Sequence, residues 1–115
     1  MSYNIAVASS DGKVVNQHFG RATKFLVFEI QDGKSQLNKI IETSPFCNHG
    51  GHDQNDLLSA IEALKGSRAV VVSQIGSGAE NTLKNNGIDV FCIHDFIEVA
   101  LERLSKYYTK IEQES

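Results

Sequence analysis

The residues best suited to chemistry lie in one short window, from Ser44 to Asp53, which holds the chain's only proline, one thiol and two imidazoles. Cys47, His49 and His52 follow the spacing Cys-x-His-x-x-His. Thiolate and imidazole are the side chains that suit zinc, copper and iron–sulfur centres. A regular strand cannot aim all three at one point, whereas a loop with two adjacent glycines can, because glycine adopts positive φ readily. The window therefore predicts a metal or metal-cluster site; a surface loop that happens to carry histidines is the alternative.

Two other segments carry groups that suit the same chemistry. His18 offers an imidazole in a predicted loop, and Arg21 offers a fixed cation with several N–H donors. The run Gly76-Ser77-Gly78 opens a predicted helix, whose first backbone N–H groups face outward as an anion site. A sulfide-bridged cluster is a bulky anion that needs a few soft ligands together with donors and positive charge. We expect such a cluster to lie between the Cys/His loop and this helix start.

Several of these residues also have a purely structural interpretation. His18 is alternatively a hydrogen-bond partner of the backbone that orders its own loop. Arg21 is alternatively one half of a surface ion pair with Asp11 or Glu29. Cys47 follows an aromatic residue and is alternatively a small hydrophobe, and Cys92 is predicted to be a core residue of this kind.

Composition limits the class of protein. A length of 115 residues predicts a single domain, residues 1–115, and 41% apolar with 22% charged residues is ordinary globular composition. Eleven basic against 14 acidic residues give a net charge of −3, which argues against a nucleic-acid partner. Two cysteines are too few for a disulfide framework, and we find neither a signal peptide nor a membrane span. We therefore expect a cytoplasmic protein with free thiols that is a monomer or a weak homodimer.

Hydrophobic patterns predict the strands and helices that must position the candidate site residues. Strands are predicted over residues 3–9, 25–30, 37–43, 69–72 and 88–93, with an Asp32-Gly33 hairpin turn between the second and third. A first helix follows a cap at Asp53, a second begins with the capping box Ser77-x-x-Glu80, and a third follows Asp95. The polar residues 110–115 are expected to fray. Two apolar stripes are predicted for the first and third helices: Leu57, Leu58, Ile61 and Leu64, and then Ile97, Ala100, Leu101, Leu104 and Tyr108.

The element order βββαβαβα predicts an α/β fold with a five-stranded mixed sheet and helices on both faces. In open α/β sheets, ligands bind beyond the carboxyl ends of the parallel strands. The loops after the first, third and fourth strands should therefore meet. They hold residues 9–21, 47–52 and 76–78, which include every candidate site residue.

These loops resemble the dinitrogenase iron–molybdenum cofactor biosynthesis family over residues 3–107. The segments that carry the resemblance are Ile5-Ala6-Val7-Ala8-Ser9 with Asp11-Gly12, His18-Phe19-Gly20-Arg21-Ala22, Phe46-Cys47 through Gly50-Gly51-His52-Asp53, Ile75-Gly76-x-Gly78-Ala79, and Gly87-Ile88. The resemblance implies a ribonuclease H-like fold and a non-catalytic protein that carries an iron–sulfur or iron–molybdenum-type cluster, or in some relatives a molybdenum–copper sulfide. It also implies proteins that donate and accept that cluster.

Three other functions compete with cluster carriage. A zinc-binding interaction domain would use Cys47, His49, His52 and a fourth ligand such as His18 in a closed tetrahedral site. A small enzyme would use Cys47 as a nucleophile with His49 or His52 as its base, although this spacing is poor for a mutual hydrogen bond. A two-metal nuclease is disfavoured because the predicted first and fourth strands carry alanine and valine where converging carboxylates would be needed.

Overall fold

The computed structural model of the chain describes residues 2–42 and 54–114. Its elements follow the predicted order, with a short 3₁₀ helix added in the first loop. The strands are β1 (Ser2–Ala8), β2 (Lys24–Gln31), β3 (Lys34–Glu42), β4 (Ser67–Val72) and β5 (Asp89–Cys92). The α-helices are α1 (Gln54–Leu64), α2 (Ser77–Asn85) and α3 (Ile97–Glu114), and the 3₁₀ helix spans Phe19–Arg21.

The five strands form one mixed sheet in the order β3-β2-β1-β4-β5. The β2–β3 hairpin is antiparallel and pairs antiparallel with β1, whereas β4 pairs parallel with β1 and β5 pairs parallel with β4. Asp32 and Gly33 at the hairpin turn both have positive φ, 53° and 79°, as a two-residue turn that matches the strand twist requires. The predicted mixed sheet is confirmed. Because β1, β3 and β4 all run the same way, their carboxyl ends lie at one edge.

Helices cover both faces of this sheet, because successive side chains of the central strands point to opposite sides. One core lies under α1 and α2, and the other lies under α3. The first core includes Ala6, Ala8, Val70 and Val72 with Ile61, Leu64 and Leu83. The second includes Ile5, Val7, Ala69 and Val71 with the predicted stripe Ile97, Ala100, Leu101, Leu104 and Tyr108.

The boundaries of the elements mostly agree with the sequence patterns. Gly66 and Gly87 follow α1 and α2 with φ of 94° and 80°, so both helices end in a left-handed glycine. The Asp53 cap and the end of the third strand at Thr43 lie outside the described residues, as do the side chains of Leu57 and Leu58. Among the described residues, no helix is both long and apolar enough to cross a membrane.

In the structure α3 continues to Glu114, through most of the residues 110–115 that are expected to fray. The reason is tertiary contact, which a local pattern does not show. Arg68 of β4 forms a 2.8 Å ion pair with Glu112, and its guanidinium lies 3.9 Å from the ring centroid of Tyr108. These contacts hold the last turns of α3 against the sheet.

Candidate functional site at the carboxyl edge of the sheet

The loop that leaves β1 is ordered by one carboxylate. The Asp11 carboxylate accepts hydrogen bonds from the backbone N–H groups of Lys13 at 2.8 Å and Val14 at 3.1 Å, and from the Ser9 hydroxyl at 3.2 Å. The Ser9 hydroxyl in turn accepts from the N–H of Gly12, whose φ of 78° turns the chain. The N–H donors of Lys13 and Val14 lower the pKa of Asp11, because they stabilise its charged form. Asp11 therefore has a structural task in this loop.

The second half of the same loop is fixed to the rest of the molecule. Asn16 accepts a 3.0 Å hydrogen bond from the N–H of Ser10 and donates one to its hydroxyl. Val15 is fully buried, and its N–H donates to the carbonyl of Asp95 at 2.9 Å. The loop therefore reaches His18 in a defined position, held from the side of α3.

Two backbone hydrogen bonds join this loop to the segment that follows β4. The N–H of Ser73 donates to the carbonyl of Gln17 at 3.1 Å, and the N–H of Phe19 donates to the carbonyl of Gln74 at 2.8 Å. His18 and Gln74 form an isolated parallel bridge between them. Phe19 is buried, with its ring centroid 5.7 Å from that of Phe25. Two of the three predicted loops are thus brought together, as expected for the carboxyl edge of the sheet.

His18 begins the 3₁₀ helix Phe19–Arg21. Its Nδ1 accepts a hydrogen bond from the backbone N–H of Gly20 at 3.0 Å. The interpretation in which His18 orders its own loop is therefore confirmed for one ring nitrogen. Arg21, at the end of this turn, is exposed and forms no ion pair with a described residue, so the predicted alternative pairing with Asp11 or Glu29 is not observed among them.

The start of α2 lies next along the chain. Gly76 follows Gln74 by two residues, which keeps their Cα atoms within about 7 Å of each other. Gly76 is the N-cap and makes no side-chain capping bond, so Ser77 occupies the first helical position instead. The predicted Ser77-x-x-Glu80 capping box is therefore wrong, because it places the helix boundary one residue too late. Glu80 pairs with Lys84 at 2.9 Å.

The first turn of α2 has backbone N–H groups that no side chain caps. The N–H of Glu80 donates to the carbonyl of Gly76, which is the first hydrogen bond of the helix. The N–H groups of Ser77, Gly78 and Ala79 precede it and have no partner among the described residues, as at any uncapped helix start. Gly76 has a φ of −73°, and a Cβ added at Gly76 or Gly78 would meet no heavy atom within 4 Å. Neither strain nor packing therefore requires glycine at these positions.

The remaining predicted ligands, Cys47, His49 and His52, lie outside the described residues. Within residues 2–42 and 54–114, no three histidine, cysteine or acidic side chains converge to hold a metal.

The prediction that Cys92 is a core residue is wrong, because it is exposed at the end of the edge strand β5. Partial desolvation, and then the charge of Glu80, raise the pKa of the Cys92 thiol, which makes it a poor nucleophile.

Gln74 and Asn16 help to fix the loop that reaches His18, although the sequence did not single them out. Gln74 contributes its backbone carbonyl, and any residue other than proline could occupy that place in the bridge, so its type gives no signal. Asn16 gives only a general signal, since asparagine is frequent in turns, where its side chain hydrogen-bonds to the backbone.

Fold and site together define an α/β domain that presents a histidine turn and an uncapped helix start at one edge of its sheet. The family model for the dinitrogenase iron–molybdenum cofactor matches residues 1–107. The chain therefore belongs to the dinitrogenase iron–molybdenum cofactor family.

Individual relatives agree with this assignment. The chain is 34% identical over 103 residues to the FeMo cofactor biosynthesis protein NifB of Frankia alni, a match that covers 87% of this chain and 20% of that protein. The chain thus spans about a fifth of the length of that relative. It is 32% identical over 102 residues to the protein MJ0580 of Methanocaldococcus jannaschii, with 81% of this chain and 85% of that one covered. The crystal structure of PH0822 has the same fold, with a TM-score of 0.69, 24% identity, and coverage of 90% and 88% of the two chains.

Proposed function

We propose that this chain binds and carries an iron–sulfur or iron–molybdenum-type cluster during assembly of the nitrogenase cofactor, and that it catalyses no turnover. Membership of the family and the names of the NifB relatives support the cargo class. In this proposal the cluster is the cargo that one protein donates and another accepts, and a molybdenum–copper sulfide belongs to the same chemical class. The chain acts as one cytoplasmic domain, as a monomer or a weak homodimer.

The observation that carries the proposal is the bare first turn of α2 beside the His18 turn. Backbone N–H groups at a helix start favour an anion, because they combine unpaired donors with the positive end of the helix dipole. Glycine at positions 76 and 78 leaves these donors uncovered, although both sites have room for a side chain. A bulky cluster can therefore approach the backbone closely. Arg21 adds an exposed cation at the end of the neighbouring turn.

The fold supports the ribonuclease H-like assignment as part of the same proposal. The sheet order β3-β2-β1-β4-β5, with only β2 running against the other strands, agrees with that architecture. The carboxylates needed for nuclease chemistry are not on the central strands, where Ala6, Ala8, Val70 and Val72 are all buried. We therefore assign binding, rather than hydrolysis, to this edge of the sheet.

Gly78→Ala tests the proposal directly. Gly78 occupies the second position of α2, and a Cβ on a helix points toward the N-terminus of that helix, over the uncovered N–H groups. We expect the variant to be as stable as the wild type or more stable by up to about 1 kcal/mol, because alanine is the better helix former. We also expect it to bind at least ten times less tightly to an anaerobically reconstituted [4Fe–4S] cluster and to tetrathiomolybdate.

Asn81→Ala is the matched control, since Asn81 is exposed on the same helix but lies beyond its first turn. Uptake is measured anaerobically by visible absorption together with iron, molybdenum and sulfide analysis, and stability is measured by thermal unfolding. Asn81→Ala should bind as the wild type does. Equal binding by Gly78→Ala and the wild type, or no uptake of either probe by the wild type, would contradict the proposal.

A further inference from the structure

The hydrogen bond between Gly20 and His18 decides which ring nitrogen carries the proton. Nδ1 of His18 lies 3.0 Å from the backbone nitrogen of Gly20, and a backbone N–H can only donate. Nδ1 must therefore present its lone pair. An imidazolium has no lone pair to offer, so the ring is neutral while this bond exists. A neutral imidazole has one N–H, which must then be on Nε2.

This tautomer is the opposite of the one that a metal ligand through Nε2 needs. A histidine that coordinates through Nε2 carries its proton on Nδ1, where it usually donates to a carbonyl or a carboxylate. In this chain, moving the proton to Nδ1 would set two N–H donors against each other across the 3.0 Å contact with Gly20. Coordination through Nε2 would therefore break the bond that begins the 3₁₀ helix Phe19–Arg21.

We propose that His18 contacts the cargo as a hydrogen-bond donor, through Nε2–H, and not as a metal ligand. This inference rests on the proposed function and specifies the part of the cargo that faces the His18 turn. That part must be an acceptor with negative charge, such as a bridging or terminal sulfide or an oxo group.

The charged and backbone groups next to His18 are also hydrogen-bond donors. Arg21 ends the turn with a guanidinium, which has donors and no acceptor. The N–H groups of Ser77 and Gly78 begin α2 and also only donate. His18, Arg21 and the start of α2 therefore each offer hydrogen-bond donors, which are the groups that an anion requires. They favour a preassembled metal sulfide anion as the cargo.

Tetrathiomolybdate is a suitable probe, because its molybdenum already has four sulfide ligands and its surface offers hydrogen-bond acceptors alone.

Three variants separate the role of His18 as a hydrogen-bond donor from a role as a metal ligand. His18→Asn retains an oxygen that can accept from Gly20 and an N–H that can donate, but an amide is a weak ligand for soft metals. His18→Cys supplies a strong soft ligand that is a poor donor, and His18→Ala supplies neither.

We expect His18→Ala and His18→Cys to bind tetrathiomolybdate at least tenfold less tightly than the wild type, and His18→Asn to remain within about threefold of it. Long-range ¹H–¹⁵N spectra of the wild type should show His18 protonated on Nε2 both before and after the probe binds, with the Nε2–H signal shifted by binding. The spectra require no substitution, so they test the tautomer even if a variant folds poorly.

Other results would overturn the inference. An Nδ1–H tautomer in the complex, or rescue of [4Fe–4S] cluster uptake by cysteine and not by asparagine, would show that His18 is a ligand. In that case the wild type still takes up the probe, and the proposed function stands. No uptake of tetrathiomolybdate or of a reconstituted [4Fe–4S] cluster by the wild type would overturn the proposed function, and this inference with it.

Discussion

At the scale of single residues, Asp11 shows how one charge can shape the loop that leads to His18. Its carboxylate accepts hydrogen bonds from the N–H groups of Lys13 and Val14 and from the Ser9 hydroxyl, all with donor–acceptor distances of 3.2 Å or less. These donors would otherwise point into solvent at the sheet edge, and their convergence shapes the start of the loop that ends at His18. A polar residue at a ligand-binding edge is therefore not automatically a ligand.

Asp11→Asn should reveal this task through its pH dependence. The pKa of Asp11 is lowered from the ordinary 3.8, so its charge stabilises the fold above that value, and the stabilisation is lost as the pH falls through the folded pKa. Asparagine retains the accepting oxygen without the charge. The free energy of unfolding of the variant, measured with urea, should therefore be lower than that of the wild type at pH 7. The difference should shrink as the pH falls below 3.8 and through the lower folded pKa, whereas a difference that is independent of pH would contradict this account.

The sequence predicted residue types at the site better than it predicted residue roles. His18 and Arg21 are candidates because imidazole and guanidinium are recognisable in a loop at a strand end, and their roles stay predictions. The sequence could not choose between a metal ligand and a backbone hydrogen-bond partner for His18, because the second role depends on where the N–H of Gly20 points. Cys92 was placed in the core because its neighbours are apolar, but a strand at the edge of a sheet leaves one side open to solvent.

At the scale of elements, the end of α3 contacts β4 through residues that are 44 positions apart in sequence. Arg68 joins its guanidinium to Glu112 at 2.8 Å and lies over the rings of Tyr108 at 3.9 Å and Tyr3 at 5.0 Å. Tyr108 is buried and donates a 2.6 Å hydrogen bond to Asp89, and burial together with this bond raises its pKa well above the ordinary value. The polar end of α3 is thus attached at two points.

Arg68→Ala should release the last turn of α3. Loss of the ion pair and of the cation–π contacts should lower the stability of the domain by about 1 kcal/mol. Amide hydrogen exchange of residues 110–114 should become much faster, while exchange in β4 should change only in proportion to global stability. Lys106→Ala is the control, because it removes the exposed pair with Glu102 on the same helix. Unchanged protection of the last turn in Arg68→Ala would show that helix propensity alone holds it.

Element order was predictable because each apolar stripe or run in the sequence has the period of one kind of structure. Capping was less predictable. Ser77 and Glu80 have the spacing of a capping box, yet the helix starts at Gly76, where no side chain competes for the N–H groups. A stabilising cap would cover the donors that the proposed cargo needs. Local rules are expected to fail most often at functional sites, and this failure falls at the proposed site.

At the scale of the whole molecule, the sheet contributes side chains to two hydrophobic cores, one on each of its faces. Val70 and Val72 belong to the core under α1 and α2, whereas Ala69 and Val71 belong to the core under α3. Neither face can lose its packing without exposing the backbone of the same central strands. We therefore predict that both faces unfold together as one cooperative domain, which is the single-domain organisation expected from chain length.

One substitution on each face tests this cooperativity. Leu83 of α2 and Leu104 of α3 are 0% and 3% exposed, so Leu83→Ala and Leu104→Ala should each cost about 2–5 kcal/mol. The chain has three tyrosines and no tryptophan. Tyr3 and Tyr108 pack in the core under α3, and Tyr107 lies 5.3 Å from Tyr108, so tyrosine fluorescence reports on that face alone.

Leu83→Ala is therefore the decisive variant, because its cavity lies on the face without tyrosines. In a cooperative domain, its urea transition by tyrosine fluorescence must coincide with the transition by far-ultraviolet circular dichroism, both at lower urea than in the wild type. Leu37→Ala, at a position 46% exposed on β3, is the control and should shift neither transition by more than about 0.5 kcal/mol. A fluorescence midpoint that stays at the wild-type value in Leu83→Ala, while circular dichroism is lost earlier, would mean that the α3 face can persist without the other. The sheet would then not couple its two cores, and the turn that carries His18, which is fixed to the start of α3 through Val15 and Asp95, could retain its position when α2 is lost.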